Sequence, residues 1–180
     1  RIMEEDPDLG EKLRAYEMHA WGIPRQRGQK GANGTDICKY MFVTAVLNRD
    51  ADLLKEVMEK VYSLVVIVDG PRDEGIQPDY SFSQHTGSGR QLYLGTYGRE
   101  YVDGLMYFAE FVKGTQFDFP SDRMEIIENL FLNGVAWVWY KGEMDANQCG
   151  RKMDYEYSGE PFVKLLDRMI ALETPKAEEL

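Results

Sequence analysis

Apolar residues recur along most of this chain at three- and four-residue intervals, the period of helices buried along one face. Asp8–Ala20 reads as a first helix, stopped near Gly22 and Pro24. The segment GQKGANG, Gly28–Gly34, reads as a loop. Asn33 or Thr35 then caps a helix over Asp36–Leu47, because either side chain can accept from an exposed first-turn amide. Ile37, Tyr40, Met41, Thr44 and Leu47 form its apolar face. A second stripe, Leu54, Met58, Val61 and Val65, predicts a helix from about Ala51, with Ile67–Val68 turning extended before the Gly70–Pro71 break. Further on, Val102, Leu105, Phe108, Ala109 and Val112 predict a helix over Arg99–Val112. Pro120-Ser121-Asp122 is a helix start. The stretch after it runs helically to about Tyr140, and a last helix covers about Pro161–Leu172 before a frayed acidic tail beyond Pro175.

Two stretches interrupt this train. Gly70–Gly98 carries almost no helical pattern and is long for a connector, which marks it as a functional loop. Gly142–Asp154 is a second polar loop. Without repeated strand–helix units a parallel sheet is not expected. The pattern fits an all-α protein of antiparallel helical hairpins, either a bundle or a toroid. Functional loops gathered at one end favour the toroid.

Composition narrows the function. The chain has 180 residues, one domain's worth, and a formal net charge of −10. Duplex nucleic acid binds through a cationic footprint, so it is not an expected partner. No apolar run is long enough to span a membrane. No charged-then-apolar leader opens the chain, and its start at Arg1 reads as an excised piece. Cys38 and Cys149 lie far apart without metal-ligand spacing, and Cys38 falls in a helical pattern as a small core residue. Neither a metal nor another cofactor is expected.

Candidate chemistry collects in the non-helical regions. His85 and Tyr97 stand twelve residues apart in a Gly-rich loop that can fold back and bring imidazole and phenol together. Asn33 lies at a helix start, and Arg151 lies in the second polar loop. Taken singly, each is more often a turn residue, a hydrogen-bonded structural group, a packing ring or a surface charge. Asp79 and Asp145 offer a competing pair of carboxylates for a helical glycoside hydrolase.

The segments GANGTDICKY, IQPDYSFSQH, GTYGREYVDGL and MDANQCGRKM, in that order, resemble the motifs of polysaccharide lyase family 8, which includes chondroitin AC, hyaluronate and xanthan lyases. The likeness is strongest to the chondroitin AC type and covers about Gly28–Asp154. It implies that residues 1–180 are part of one catalytic α/α toroid, whose earlier helices and following β-sandwich domains lie outside this chain. The rest of the parent enzyme is then a partner, and an acidic polysaccharide is the substrate. The resemblance also implies a secreted or periplasmic enzyme. Carried over position by position, it assigns Asn33 to the uronate carboxylate, His85 to catalysis, Tyr97 to proton transfer and Arg151 to a place beside that tyrosine. Tyr93 is the fallback proton carrier. Arg90 is read as a substrate-binding residue. The family loop continues to a second arginine four residues after Arg151; Tyr155 stands there in this chain. An inactive carbohydrate-binding relative is the alternative that this substitution supports.

The implied chemistry suits these residue types. β-Elimination removes the weakly acidic proton at C5 of a uronic acid, next to a carboxylate. An amide such as Asn33 can donate to that carboxylate and stabilise the developing charge. A guanidinium near a phenol favours the phenolate. Tyr97 can then take the C5 proton and return one to the leaving glycosidic oxygen.

Overall fold

The computed structural model describes residues 5–87, 89–152 and 160–180. Its helices are α1 (Pro7–Gly22), α2 (Pro24–Arg27), α3 (Gly31–Leu47), α4 (Ala51–Leu64), α5 (Arg99–Val112), α6 (Ser121–Leu130), the short α7 (Ala136–Val138) and α8 (Glu160–Ala171). The three-residue link Asn48–Asp50 folds α4 back along α3, and α5 packs on the same helix. The core runs through these three helices, with Cys38, Met41, Val57, Met58, Val61, Leu105, Met106 and Phe108 fully buried. Asp50 caps α4 by accepting from Leu53 N–H at 3.0 Å, which satisfies one of the orphan amides of its first turn. Deeper in, the buried Tyr101 hydroxyl donates to Leu64 O at 3.0 Å and ties α5 to the end of α4.

Several sequence expectations need correcting. The segment Gly31–Gly34 belongs to α3 rather than to a loop, and neither Asn33 nor Thr35 caps it. Lys30 occupies the capping position without a side-chain capping bond, its Nζ donating instead to Asp73 Oδ1 at 3.0 Å. The free amide of Ala32 is taken instead by Gln84 Oε1 at 3.4 Å, an acceptor 52 residues away. Thr35 turns its hydroxyl back to Ala32 O. The buried stripe of α4 is Leu53, Val57, Met58, Val61 and Leu64, so Leu54 sits at its edge. The tail beyond Pro175 is docked on α6 rather than frayed. Lys176 donates from its backbone to Glu128 Oε1 and from Nζ to Asn129 Oδ1, and Leu180 packs against the core.

The long loop is not patternless either. Val68 N–H donates to Ile76 O at 2.8 Å. From there β1 (Gly75–Ile76), β2 (Phe82–Gln84) and β3 (Gln91–Leu92) form a small antiparallel sheet in that order, with Ile76 opposite Phe82 and Gln84 opposite Gln91. A π-helical turn, Leu94–Gly98, then runs straight into α5. The helix after Pro120 is broken by a second π-turn, Phe131–Val135. Its Gly134 lies so close to Tyr80 O that a side chain there would collide with it. Next comes a hairpin of β4 (Trp139–Tyr140) and β5 (Glu143–Met144), then short 3-10 turns at Ala146–Gln148 and Gly150–Lys152. These pieces depart locally from an all-α reading, but the architecture stays mostly helical.

Candidate active site

The site lies where the first loop meets the start of α3 on one side and the second loop on the other. Glu74, just before β1, is its joint. Its Oε2 accepts from Gln84 Nε2 at 2.7 Å, and its Oε1 accepts from the backbone N–H of His85 at 2.9 Å. Gln84 is fully buried and reaches across to the Ala32 amide. Asn33 and His85 therefore flank a hydrogen-bonded pair, one residue beyond each member. The Asn33 side chain is half-buried and makes no hydrogen bond with the described residues.

His85 adopts a left-handed backbone with φ 55°. Such a conformation strains a residue with a side chain and tends to persist at functional sites. Its ring lies edge-on to Tyr97 at 4.9 Å between centroids and to Tyr93 at 5.6 Å; the two tyrosines are 5.1 Å apart. The Nε2 atom of His85 is buried without a hydrogen-bond partner among the described residues. Between the two catalytic candidates Gly89 N–H donates to Thr86 O, the Thr86 hydroxyl is anchored on Arg72 O, and β3 leads into the π-turn that carries Tyr97. A connection of this length therefore still brings imidazole and phenol together.

Tyr97 and Tyr93 differ in kind. Tyr93 is fully buried, and its hydroxyl accepts from the backbone N–H of Arg151 at 3.4 Å. Gly150, with φ 59°, lies flat against the Tyr93 ring, where a Cβ would overlap it. Gly95 similarly admits Met144 and Cys149 of the second loop against the π-turn; a Cβ there would stand 2.7 Å from Met144 Cγ. Tyr93 thus locks the second loop to the first. Tyr97 is only half-buried, within the π-turn, a type of irregularity common at functional sites.

The second loop brings its cations unevenly. Arg151 is exposed, and its guanidinium makes no bond with the described residues. Lys152 instead places its Nζ 5.9 Å from the centre of the Tyr97 ring. Arg90 donates from one nitrogen to Asp69 O at 2.9 Å and Gly70 O at 3.2 Å, so it pins a turn. Tyr155 lies outside the described residues. Among the described residues no group of three or more His, Cys, Asp or Glu side chains gathers to hold a metal. Both cysteines are free and buried.

Glu74 and Gln84 are the residues that sequence reasoning did not place. Gln84 was visible as the neighbour of His85 in the Gln-His pair. Glu74 carried no local signal, because it acts through a backbone amide eleven positions on. The two acids of the hydrolase reading serve as turn caps. Asp79 accepts from Ser81 N–H at 3.0 Å, and Asp145 accepts from the amides of Asn147. The bond from Ser81 holds the Asp79 carboxyl below the usual carboxylate range, which keeps it ionised and unsuited to donating a proton.

A helical scaffold brings an imidazole and two phenols of one loop together and ties that loop, through Gln84 and Ala32, to the helix start that carries an open amide. The chain belongs to polysaccharide lyase family 8: the family's N-terminal alpha-helical domain matches residues 4–178. It is similar to chondroitinase-AC of Pedobacter heparinus, 31% identical over 121 residues, which cover 67% of this chain and 17% of that protein. It is also similar to a hyaluronate lyase of Staphylococcus aureus, 24% identical over 131 residues, covering 71% of this chain and 16% of the relative. The chain thus spans less than a fifth of these relatives. A solved chondroitinase AC lyase superposes with a TM-score of 0.75 at 27% identity, over 84% of this chain and 22% of that one. A Paenibacillus xanthan lyase shares the fold, with a TM-score of 0.69 at 19% identity over 87% of this chain and 15% of that one.

Proposed function

We propose that this chain is part of the catalytic α/α toroid of a secreted or periplasmic lyase. That enzyme cleaves an acidic glycosaminoglycan by β-elimination at the uronic acid, with chondroitin sulfate the first candidate and hyaluronan the second. The observation that carries the reading is the edge-on packing of His85 against Tyr97 at 4.9 Å, on a loop tied to the Asn33 turn. In this scheme the Asn33 amide and His85 Nε2 donate to the uronate carboxylate, which draws charge off C5 as its proton leaves. Neither group has an internal bond to displace within the described residues; the Asn33 side chain is half-buried, while His85 Nε2 is buried and its ring has to turn toward the groove to reach the carboxylate. Tyr97 takes the C5 proton as phenolate and, as phenol, protonates the glycosidic oxygen that departs. Lys152 and Arg151 supply positive charge at the phenol and along the polyanion. The net charge of −10 does not oppose this, because local fields govern approach.

The test is the absorbance of unsaturated uronate produced from chondroitin by the complete enzyme and by its Tyr97→Phe form. Loss of the chromophore with the fold retained supports the scheme. Undiminished turnover in the variant would sink the assigned proton carrier. Reducing sugar without the chromophore would instead place the enzyme among the hydrolases.

A further inference from the structure

The elimination scheme uses Asn33, His85 and Tyr97, but nothing in it explains why His85 holds a strained backbone. The left-handed conformation at φ 55° is uncommon for a residue with a side chain, although histidine adopts it more often than most. Contacts from outside the residue can hold it there. The atom in position to do so is Glu74 Oε1, which accepts the His85 backbone N–H at 2.9 Å. Its other oxygen takes the Gln84 side-chain amide at 2.7 Å. Gln84 then uses Oε1 for the otherwise uncapped Ala32 amide. Gly31, at φ 54°, leaves the space that this oxygen occupies; a Cβ there would collide with it.

We infer that Glu74 is a positioning residue that sets the two substrate-facing elements, the Asn33 turn and His85, in one fixed relation. The inference rests on the lyase reading above. The chain of donors and acceptors has a direction. Ala32 N–H donates to Gln84, Gln84 donates to Glu74, and His85 N–H donates to Glu74. A carboxylate is the one side chain of this length that accepts at both ends. A carboxamide in its place can accept at only one end, and its NH₂ group then faces a second donor. Charge-assisted bonds of this kind are also stronger than neutral ones. Since Glu74 bonds the Gln84 amide and the His85 backbone rather than the Asn33 side chain or the His85 ring, its effect falls on geometry. Misplacing two donors by a fraction of an ångström penalises the transition state more than ground-state binding of a long polymer.

The direction of the chain supplies a discriminating experiment in the complete enzyme. Glu74→Gln is expected to lower kcat on chondroitin by roughly tenfold to a hundredfold, with KM within about twofold. The exchange variant, Glu74→Gln with Gln84→Glu, restores every bond. The carboxylate, moved to position 84, accepts from Ala32 N–H and from the amide nitrogen introduced at position 74. The amide oxygen at position 74 accepts from His85 N–H. This variant is expected to recover kcat to within about threefold of the parent, which a loss of fold or of a charge at position 74 does not predict. Circular dichroism and melting temperature confirm that each variant folds. A Glu74→Gln form with unchanged kcat overturns the proposal, as does a folded exchange variant no better than the single one. If the unaltered enzyme makes no unsaturated product, the lyase reading fails rather than this one. The network can still be judged there by the backbone amide NMR shift of Ala32, which the single substitution must move and the exchange must leave hydrogen-bonded, now to a carboxylate.

Discussion

The α3–α4–α5 core and the loop junction at the start of α3 use the same residue types in opposite ways. In the core, Asp50 caps α4 and the buried Tyr101 hydroxyl reaches Leu64 O, and the Tyr40 hydroxyl is the one buried side-chain polar atom of these three helices left without a partner among the described residues. At the junction, His85 Nε2, Ser83 Oγ, Thr96 Oγ1, Gln77 Oε1 and Gln148 Oε1 are buried without partners among the described residues. Tyr80 and His85 adopt left-handed backbones there, and a π-turn interrupts the entry to α5. Buried polar atoms without partners and strained conformations each cost free energy. Five of the nine buried unpartnered atoms among the described residues fall at this junction, whereas Arg49, Lys141 and Glu173 hold left-handed backbones elsewhere, so it is the unpartnered groups that mark the junction as shaped by something other than stability. A rigid core lets that part remain strained.

The sharpest break in this comparison comes from the two tyrosines, neighbours 5.1 Å apart with the same hydroxyl. Tyr97→Phe is expected to lower turnover of the complete enzyme by roughly a thousandfold, the scale of a lost general acid–base group, without changing its melting temperature. Tyr93→Phe removes a single long bond to Arg151 N–H. It should cost about 1 kcal/mol in stability and leave turnover within a few-fold. If the two effects are reversed, Tyr93 is the proton carrier and the burial argument is wrong.

Next in size is the lock between the loops. Gly150→Ala forces a methyl into the Tyr93 ring at a left-handed position and should destabilise by about 2–3 kcal/mol. Gly142 has φ 85° with open space around it, so Gly142→Ala carries only the backbone cost of about 1 kcal/mol. Urea titrations of both variants measure the difference. Equal losses would show that the Tyr93 contact contributes nothing.

What the sequence made legible follows the same division. Helix α5 was readable to the residue because Val102, Leu105, Phe108, Ala109 and Val112 carry the helical period and Val112 precedes a turn. The start of α3 was not, because its amide acceptor is Gln84, 52 residues on, and no local cap exists to find. Strand β2 is buried on every residue, so it shows no alternation, and at three residues it is too short to stand out. The docked tail was hidden for a similar reason, its partner Glu128 lying 48 residues back. Asn33, His85, Tyr97 and Arg151 could be picked out only because their motifs occur together and in order. Glu74 could not, since its role exists only once the sheet is folded.

A smaller effect tests the core from the alkaline side. Burial pushes the Cys38 thiol up to about 12, and burial followed by the Asp118 carboxylate pushes Tyr62 up to about 12. Both are proton-binding groups whose folded value exceeds the unfolded one, near 8.5 for a thiol and near 10 for a phenol. Their stabilisation is complete below those unfolded values. It is lost as pH rises toward 12, because the unfolded chain releases the protons first. Melting temperature should therefore fall between about pH 9 and pH 12, and Cys38→Ala should flatten the lower part of that fall. A slope unchanged in the variant would assign the loss to other groups.

The smallest effect is expected at Arg90, where the two regions compete for one side chain. As a substrate residue it would lie free on the loop; in the structure it bonds Asp69 O and Gly70 O and stands 3.6 Å from the Asp69 carboxylate, itself largely exposed. An exposed pair of this kind contributes about 0.2–1 kcal/mol. Arg90→Gln should therefore lower the melting temperature by no more than a degree or two and change KM for chondroitin less than twofold. Salt separates the two roles further. A turn clip loses its small contribution as ionic strength rises, whereas a residue that meets a polyanion steepens the dependence of KM on salt. A tenfold rise in KM, or a flattened salt dependence in the variant, would show that Arg90 leaves its turn when the polymer arrives and belongs to the junction rather than to the scaffold.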